Sequence, residues 1–290
     1  MATANIQTMG TMFPEAVAQE LFTKVRGKSS LAKLAEQVPV EFTGTDIFTF
    51  GFDNEVSVVA ENGAKVAGGI TVAPKKITPV KIEYGARVSD EFMHASEEKQ
   101  LQILAAFTDG FAKKVAKGLD IMAMHGYNPF TGTASAVIGT NHLDSQSTKV
   151  VYSAVDTNIT AGVATIGDYD MTGLALSKVA AAELAGLKVN GVPQYPELMW
   201  GAVPESIHGI PTDVNATVSA NSKIYAYGGD FDAFKWGYAK DIEMTVIPYG
   251  DPDNTGSDLA GHNQVYLRCE CYIGWAILDQ GAFFRIEANA

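Results

Sequence analysis

The chain has 290 residues, 47% hydrophobic and 19% charged, which supplies a sizeable core and excludes a disordered or collagen-like polymer. A formal net charge of -12 argues against a protein that grips nucleic acid, because an acidic surface repels phosphate instead of releasing its counterions. Two cysteines, Cys269 and Cys271, are too few for a zinc cluster or a disulfide framework and suit a reducing compartment.

The segment from Met1 to Gln7 lacks the basic start and apolar run of a secretory signal. No stretch approaches the ~18 consecutive apolar residues of a membrane span. The expectation is a soluble protein made in the cytoplasm. Residues 1 to about 37 read as an arm with a short helix, opened by Pro14, striped by Val17, Leu21 and Val25, and ended by Gly27. Lys24, Arg26, Lys28 and Lys33 make it locally basic, which fits either a solvated helix face or an inward contact with a genome or scaffold.

Residues 38–88 read as long antiparallel strands. Val38, Val40 and Phe42 alternate with polar or turn-forming neighbours, as do Phe48, Phe50 and Phe52, and then Ile82, Tyr84, Ala86 and Val88. Period-two patterning of this kind predicts strands with one buried face. Between the runs, Val59 to Gly69 is small and glycine-rich, with Asn62, Gly63, Lys65, Gly68 and Gly69, as a loop tip demands. A two-stranded ribbon this long exposes a face and is marginal alone in water, so something else must cover it.

The principal helix is predicted over 96 to about 123, with Ser96 as N-cap and Glu97 and Glu98 in the first turn. Leu101, Leu104, Phe111, Val115, Leu119 and Met122 recur at helical spacing, so the element reads as a structural spine. The run from His125 to Gly132 breaks it. A second helix is expected at about 170–186, capped by Asp170, with Leu174, Ala175, Val179, Ala182 and Leu184 as apolar positions. Residues 187–240 mix short strands with Gly and Pro. The last third returns to strands, first through Ile242, Met244 and Val246, then through Val265, Leu267, Cys269, Cys271, Ile273, Trp275 and Ile277.

Motifs that could carry chemistry mostly fail on spacing. Arg26-Gly27-Lys28-Ser29 ends like a phosphate-binding loop, but Phe22 stands where the first glycine must be. No His-Glu-x-x-His or Gly-x-Ser-x-Gly occurs, and His94, His125, His142, His208 and His262 are scattered. Asp251 to Asp258 resembles a calcium loop, yet its twelfth position is His262 where a bidentate Glu is required. Cys269 and Cys271 share one strand face with apolar neighbours and read as buried small hydrophobes. The residues point to a structural or binding protein, with no catalytic cluster, metal or cofactor.

The order of these pieces resembles the tailed-bacteriophage major capsid family with the Hong Kong 97-type fold. The residues that carry the resemblance are Val59 to Lys65 through Val80-Lys81-Ile82, Gly228 to Gly237, and Asn263 to Ile286. It implies an α+β chain divided into an N-terminal arm (1–37), an extended loop with flanking strands (38–88), a peripheral domain with the spine helix (89–154), an axial domain (155–240) and returning strands of the peripheral domain (241–290). It further implies an inter-subunit loop at about 44–80, including Phe48 and Phe50, lying on the adjacent subunit. Copies would assemble as pentamers and hexamers into an icosahedral head that encloses double-stranded DNA without sequence-specific binding and without a membrane. The resemblance makes the chain a virion component and not an enzyme, with a portal and a decoration protein as further partners. Because the fold-like pattern starts close to Met1, a separate scaffolding protein is expected.

A few members of that family join a loop lysine to an asparagine of another subunit with the help of a glutamate. By the resemblance Asn263 and Glu270 fall on the asparagine and glutamate positions. Pro74 occupies the lysine position, with Lys75 and Lys76 beside it. Two other readings stay open on the sequence. The shell of an encapsulin-like bacterial nanocompartment shares this fold, and a hydrolase or calcium-dependent binding protein would use the Asp251–Asp258 loop.

Overall fold

The computed structural model describes residues 29–91, 97–220 and 223–289. The helix opened by Pro14, the basic positions Lys24, Arg26 and Lys28, and the cap at Ser96 lie outside the described residues.

The first half of the chain runs α1 (Ser30–Leu34), β1 (Glu36–Gln37), β2 (Thr45–Phe52), β3 (Ile70–Ile77), β4 (Val80–Ser89), α2 (Glu97–His125), α3 (Leu143–Gln146) and β5 (Thr148–Val151). Next come α4 (Val155–Val163), β6 (Gly173–Leu176), α5 (Lys178–Gly186), β7 (Lys188–Val189), β8 (Val192–Pro193), β9 (Ser206–Ile207) and β10 (Ile210–Val214). The chain closes with β11 (Ile224–Gly229), β12 (Phe234–Ile247), β13 (Gln264–Ile277) and β14 (Phe283–Glu287).

The clean alternation of the last third builds a four-stranded sheet in the order β1-β12-β13-β4. Register places Trp236 opposite Trp275, Met244 opposite Cys269 and Ile82 opposite Cys271. The helix-facing side of β13 is buried throughout, and the second half of α2 lies on it with Phe111, Val115, Leu119 and Met122. Each indole N–H is satisfied, Trp236 donating to the Ala35 carbonyl at 3.3 Å and Trp275 to that of Asn141 at 2.8 Å. Gly237 lets the arm cross this sheet, since a Cβ there would sit 1.9 Å from the Val38 carbonyl oxygen. The predicted strand at Val38–Phe42 is not formed: Val38 donates to the Trp236 carbonyl at 2.8 Å, and the chain then leaves the sheet.

At about 1.5 Å per residue, the 29 residues of α2 span roughly 43 Å. Among the described residues no helix is long and apolar enough to cross a membrane. Gly126, with φ +71, ends α2 in the left-handed conformation that a C-terminal glycine supplies.

A six-stranded sheet, β5-β14-β11-β6-β10-β9, forms the second layer. Its core joins Leu174, Leu176, Phe284 and Ile286 to Val155 of α4 and Leu184 of α5. Here the expected helix at 170–186 is corrected. Leu174 and Ala175 are buried in strand β6, Ser177 and not Asp170 caps the helix by accepting from the Ala180 amide, and Val179 is 61% exposed. Four consecutive apolar residues fit a fully buried strand as well as a helix turn, and pairing on both edges decided between them. The turn-rich character that the sequence shows after Gly132 gives way at Val155 to the helix α4, whose first turn ends the stretch to Thr157. The final strand β14 pairs with β11 and β5, so the second sheet draws on residues from 148 to 287.

Candidate assembly surface

β2 and β3 form a ribbon that projects as a finger, paired from Thr45 opposite Ile77 at its foot to Phe52 opposite Ile70 at its far end. Ile77 and Ile47 anchor the foot in a small cluster with Val40 and Ala276. Beyond it, one face carries Phe48, Phe50 and Phe52 opposite Pro74, Val72 and Ile70. The three phenyl rings are 60%, 72% and 84% exposed. This corrects the expectation of one buried face: the alternation is real, and among the described residues of one chain nothing covers it. Single exposed apolar residues are ordinary, but a contiguous row is an interaction surface. Pro74, which has no N–H to donate, is tolerated because β3 is an edge strand.

The tip, residues 53–69, leaves the ladder. Asn62 takes a left-handed φ of 64 and Gly63 closes a turn onto the Ala60 carbonyl at 2.8 Å. Lys65 and Gly68 are exposed and Gly69 is half-buried against Asp53, whose carboxylate accepts from the Thr71 hydroxyl at 2.6 Å.

Within one chain the residues that the resemblance tied to cross-linking stand apart. Lys75 and Lys76 lie near the finger's foot, opposite Ile47 and Asp46. Asn263 is exposed, with φ 53, and its carbonyl accepts from the Asp90 amide at 2.9 Å. Glu270 is seven positions further along, roughly 23 Å at ~3.3 Å per strand residue. Among the described residues no hydrogen bond or ion pair joins either lysine to Asn263 or Glu270. Glu270 is instead the middle of a carboxylate row across the sheet, between Glu83 and Glu243. Like charges in such register repel, and lysines offset them. Lys81 reaches Glu270 at 2.9 Å and Glu83 at 3.2 Å, while Lys240 pairs with Glu243. The Lys81 ammonium holds the Glu270 carboxyl below the usual carboxylate range.

The calcium-like loop is filled by a side chain of the protein itself. The Arg87 guanidinium donates to Asp251 at 2.6 Å, to Thr255 at 2.6 Å and to the Ser257 carbonyl at 2.9 Å, and it also pairs with Asp253. The oxygens that would have bound a metal therefore face a fixed cation. Among the described residues no group of three or more His, Cys, Asp or Glu is placed to hold a metal ion. Burial pushes the thiols of Cys269 and Cys271 up to about 12, which leaves them unreactive. His94 lies outside the described residues.

Two buried polar junctions escaped the sequence reading. Asp120, on the buried side of α2, accepts from the Ser29 hydroxyl, from the Ser30 amide at 3.0 Å and from the Thr217 hydroxyl at 2.6 Å. It thereby ties the arm, the spine and the second layer together, and burial pushes its carboxyl above the ordinary range. At the end of α2, His125 contacts Asp144 through Nδ1 at 2.9 Å and donates from Nε2 to the Thr217 carbonyl at 2.9 Å, while Tyr227 donates to Asp144 at 2.6 Å. The available signal for the first was a lone carboxylate between Leu119 and Ile121 on an otherwise apolar face.

Comparison with known proteins gives concordant results. A profile described as "Phage capsid family" matches residues 10–288. Among solved structures, a chain of Mycobacterium phage Ogopogo is 30% identical, with a TM-score of 0.77 over 90% of this chain and 92% of that one. A chain of Gordonia phage Cozz is 24% identical, with a TM-score of 0.75 over 91% and 87%. A structure titled "Capsid of native GTA particle computed with C5 symmetry" shares the fold at 15% identity, with a TM-score of 0.66 over 90% of each chain. A search of curated proteins found no match.

Proposed function

The chain belongs to the phage capsid family, and from that premise we propose that it closes the shell of a phage head by laying the Thr45–Ile77 finger on an adjacent copy. It is a structural capsid protein, and its place in the virion is the capsid. One observation carries the proposed contact: the phenyl row Phe48, Phe50 and Phe52 is bare in the single chain. A finger given by each copy and received by the next is a heterologous contact, which closes into rings when the rotation permits. Pentamers and hexamers meeting through the axial region, residues 155–240, then make an icosahedral shell around double-stranded DNA. The net charge of -12 keeps such a wall from adhering to its genome. Production in the host cytoplasm, a separate scaffolding protein, a portal and a decoration protein complete this reading.

The finer covalent step belongs to the same proposal. The neutral amine of Lys75 or Lys76 attacks the side-chain amide carbon of Asn263 in another copy. Glu270 takes the amine's proton and returns it to the departing amide nitrogen, so that an isopeptide bond forms, the amide C–N bond breaks and ammonia leaves. Denaturing electrophoresis of mature particles tests it: a ladder that disappears in Glu270→Gln supports the step, and a clean monomer band removes it. The main reading is tested by electron microscopy of the protein expressed with its neighbouring genes. Icosahedral particles are expected, and a chain that stays monomeric under every condition overturns the shell.

A further inference from the structure

Two histidines meet near the end of α2, and their hydrogen-bond partners demand different proton counts. A neutral imidazole has one N–H and one bare nitrogen, so it needs one acceptor and one donor. His142 has such a set: its Nδ1 accepts from the Ser145 amide at 3.3 Å, and its ring also bonds the Met124 backbone. Burial pushes that ring below the ordinary imidazole range. His125 has two acceptors and no donor. Its Nε2 faces the Thr217 carbonyl at 2.9 Å, and its Nδ1 faces an Asp144 carboxylate oxygen at 2.9 Å. Nδ1 also lies 3.2 Å from the Tyr227 hydroxyl oxygen, but that O–H is spent on Asp144, 2.6 Å away. The His125 side chain is fully buried, away from solvent that could supply a donor.

We infer that His125 is held as the imidazolium, a buried cation paired with Asp144, which clasps the spine helix to the second layer and lets go when raised pH removes its proton. Only the doubly protonated ring gives an N–H to both acceptors. Either neutral form sets a bare nitrogen against an oxygen lone pair, and a buried polar group left without its bond is costly. The proton lies on the ring and not on the carboxyl, because Tyr227 already donates to Asp144 at a length usual for O–H···O⁻. The clasp joins α2 through His125, α3 through Asp144, and the second layer through Thr217 and Tyr227. The other charged groups around it are mixed in sign. Asp120, on the same helix, accepts from the Thr217 hydroxyl. Lys223, Arg285 and Glu287 line an open hollow of about 410 Å³ beside the joint, and the Tyr127 ring lies 6.1 Å from His125. Glu287 is ion-paired to both Arg285 and Lys149. Lys149, Lys223 and Arg285 thus balance Asp120, Asp144 and Glu287, so the hydrogen-bond set, not the surrounding charge, decides the state of His125.

The test is nitrogen NMR of the full-length unassembled chain, isotope-labelled at histidine, at about pH 8, well above the ordinary imidazole value of about 6.5. One ring is expected with both nitrogens protonated, and His125→Gln identifies it by removing that signal. His142 is expected with one protonated and one bare nitrogen. A spectrum without a doubly protonated ring overturns the inference. Asp144→Asn serves should His125→Gln not fold: its amide donates to a bare Nδ1 and still accepts from Tyr227, so a neutral joint is fully bonded. The doubly protonated signal is then lost while the fold is kept, and its survival in Asp144→Asn also overturns the assignment. Unfolding reads the release. The folded joint keeps a proton that the unfolded chain gives up, so stability falls as pH rises, by up to about tenfold in the folding equilibrium per pH unit. Denaturant titrations from about pH 7 to about pH 9 are expected to show wild type losing stability faster than Asp144→Asn. Equal slopes in the two chains mean that no proton is released at the joint, and the clasp falls.

Discussion

β2 and β13 carry the same kind of sequence and meet opposite fates. Phe48, Phe50 and Phe52 alternate as cleanly as Ile273, Trp275 and Ile277, yet the first three are 60% to 84% exposed and the last three are 0%, 1% and 2%. The difference lies in what each face meets. β13 is paired on both edges and has α2 across it; β2 has one partner strand and, among the described residues, nothing across it. Alternation thus specifies a strand and its apolar side but not the molecule that covers that side. A sheet covered by its own chain stores its burial in the stability of the subunit. A ribbon covered by a neighbour stores it in assembly.

The covered side should show the largest effect. Trp236 is fully buried opposite Trp275. Trp236→Ala leaves a cavity and an unmet carbonyl at Ala35, at about 3–5 kcal/mol, which is a large share of a typical domain's stability. Denaturant unfolding of the free subunit measures it. A loss below about 1 kcal/mol would mean that this sheet, too, depends on a neighbour.

A smaller effect is expected on the outer face of the same sheet, where the Lys81–Glu270 pair sits. Glu270 has its folded value depressed chiefly by the Lys81 hydrogen bond. Its stabilisation is therefore present above the ordinary value of 4.5 and lost as pH falls through the lower folded value. Lys81→Met should cost no more than about 1 kcal/mol near neutrality, because the lysine is 43% exposed and screened by solvent. Chemical denaturation at a series of pH values should show wild type and variant converging in acid. A gap that stays constant down to the acid limit would exclude the ion pair as its source.

How far the sequence carried this comparison depends on the residues concerned. The spine helix, the closing strands and the glycine-tipped ribbon were legible because their periods run for many residues. The helix at 170–186 was misplaced because Gly173 to Leu176 is a short apolar run with no period of its own. Asp120 and the His125–Asp144–Tyr227 group were illegible because their partners lie at separations that no local pattern reports: Ser29 is 91 residues from Asp120 and Tyr227 is 102 from His125. The Asp251 loop looked like a calcium loop without its closing Glu, and read as a solvated acidic loop. That Arg87, 164 residues upstream, fills it was not readable.

The smallest expected number separates the two regions most sharply. Phe50 is 72% exposed and opposite Val72, which is itself 48% exposed, so Phe50→Gln removes almost no burial from the free subunit. Its unfolding free energy should stay within about 0.5 kcal/mol of wild type, while particle formation, followed by light scattering at matched concentration, is lost. Loss of an aromatic ring on the finger thus has its whole effect in association, where Trp236→Ala has its effect in folding. A Phe50→Gln subunit that melts several degrees early would show the finger packed on its own body, and the contrast between the ribbon and the sheet would then dissolve into one of degree.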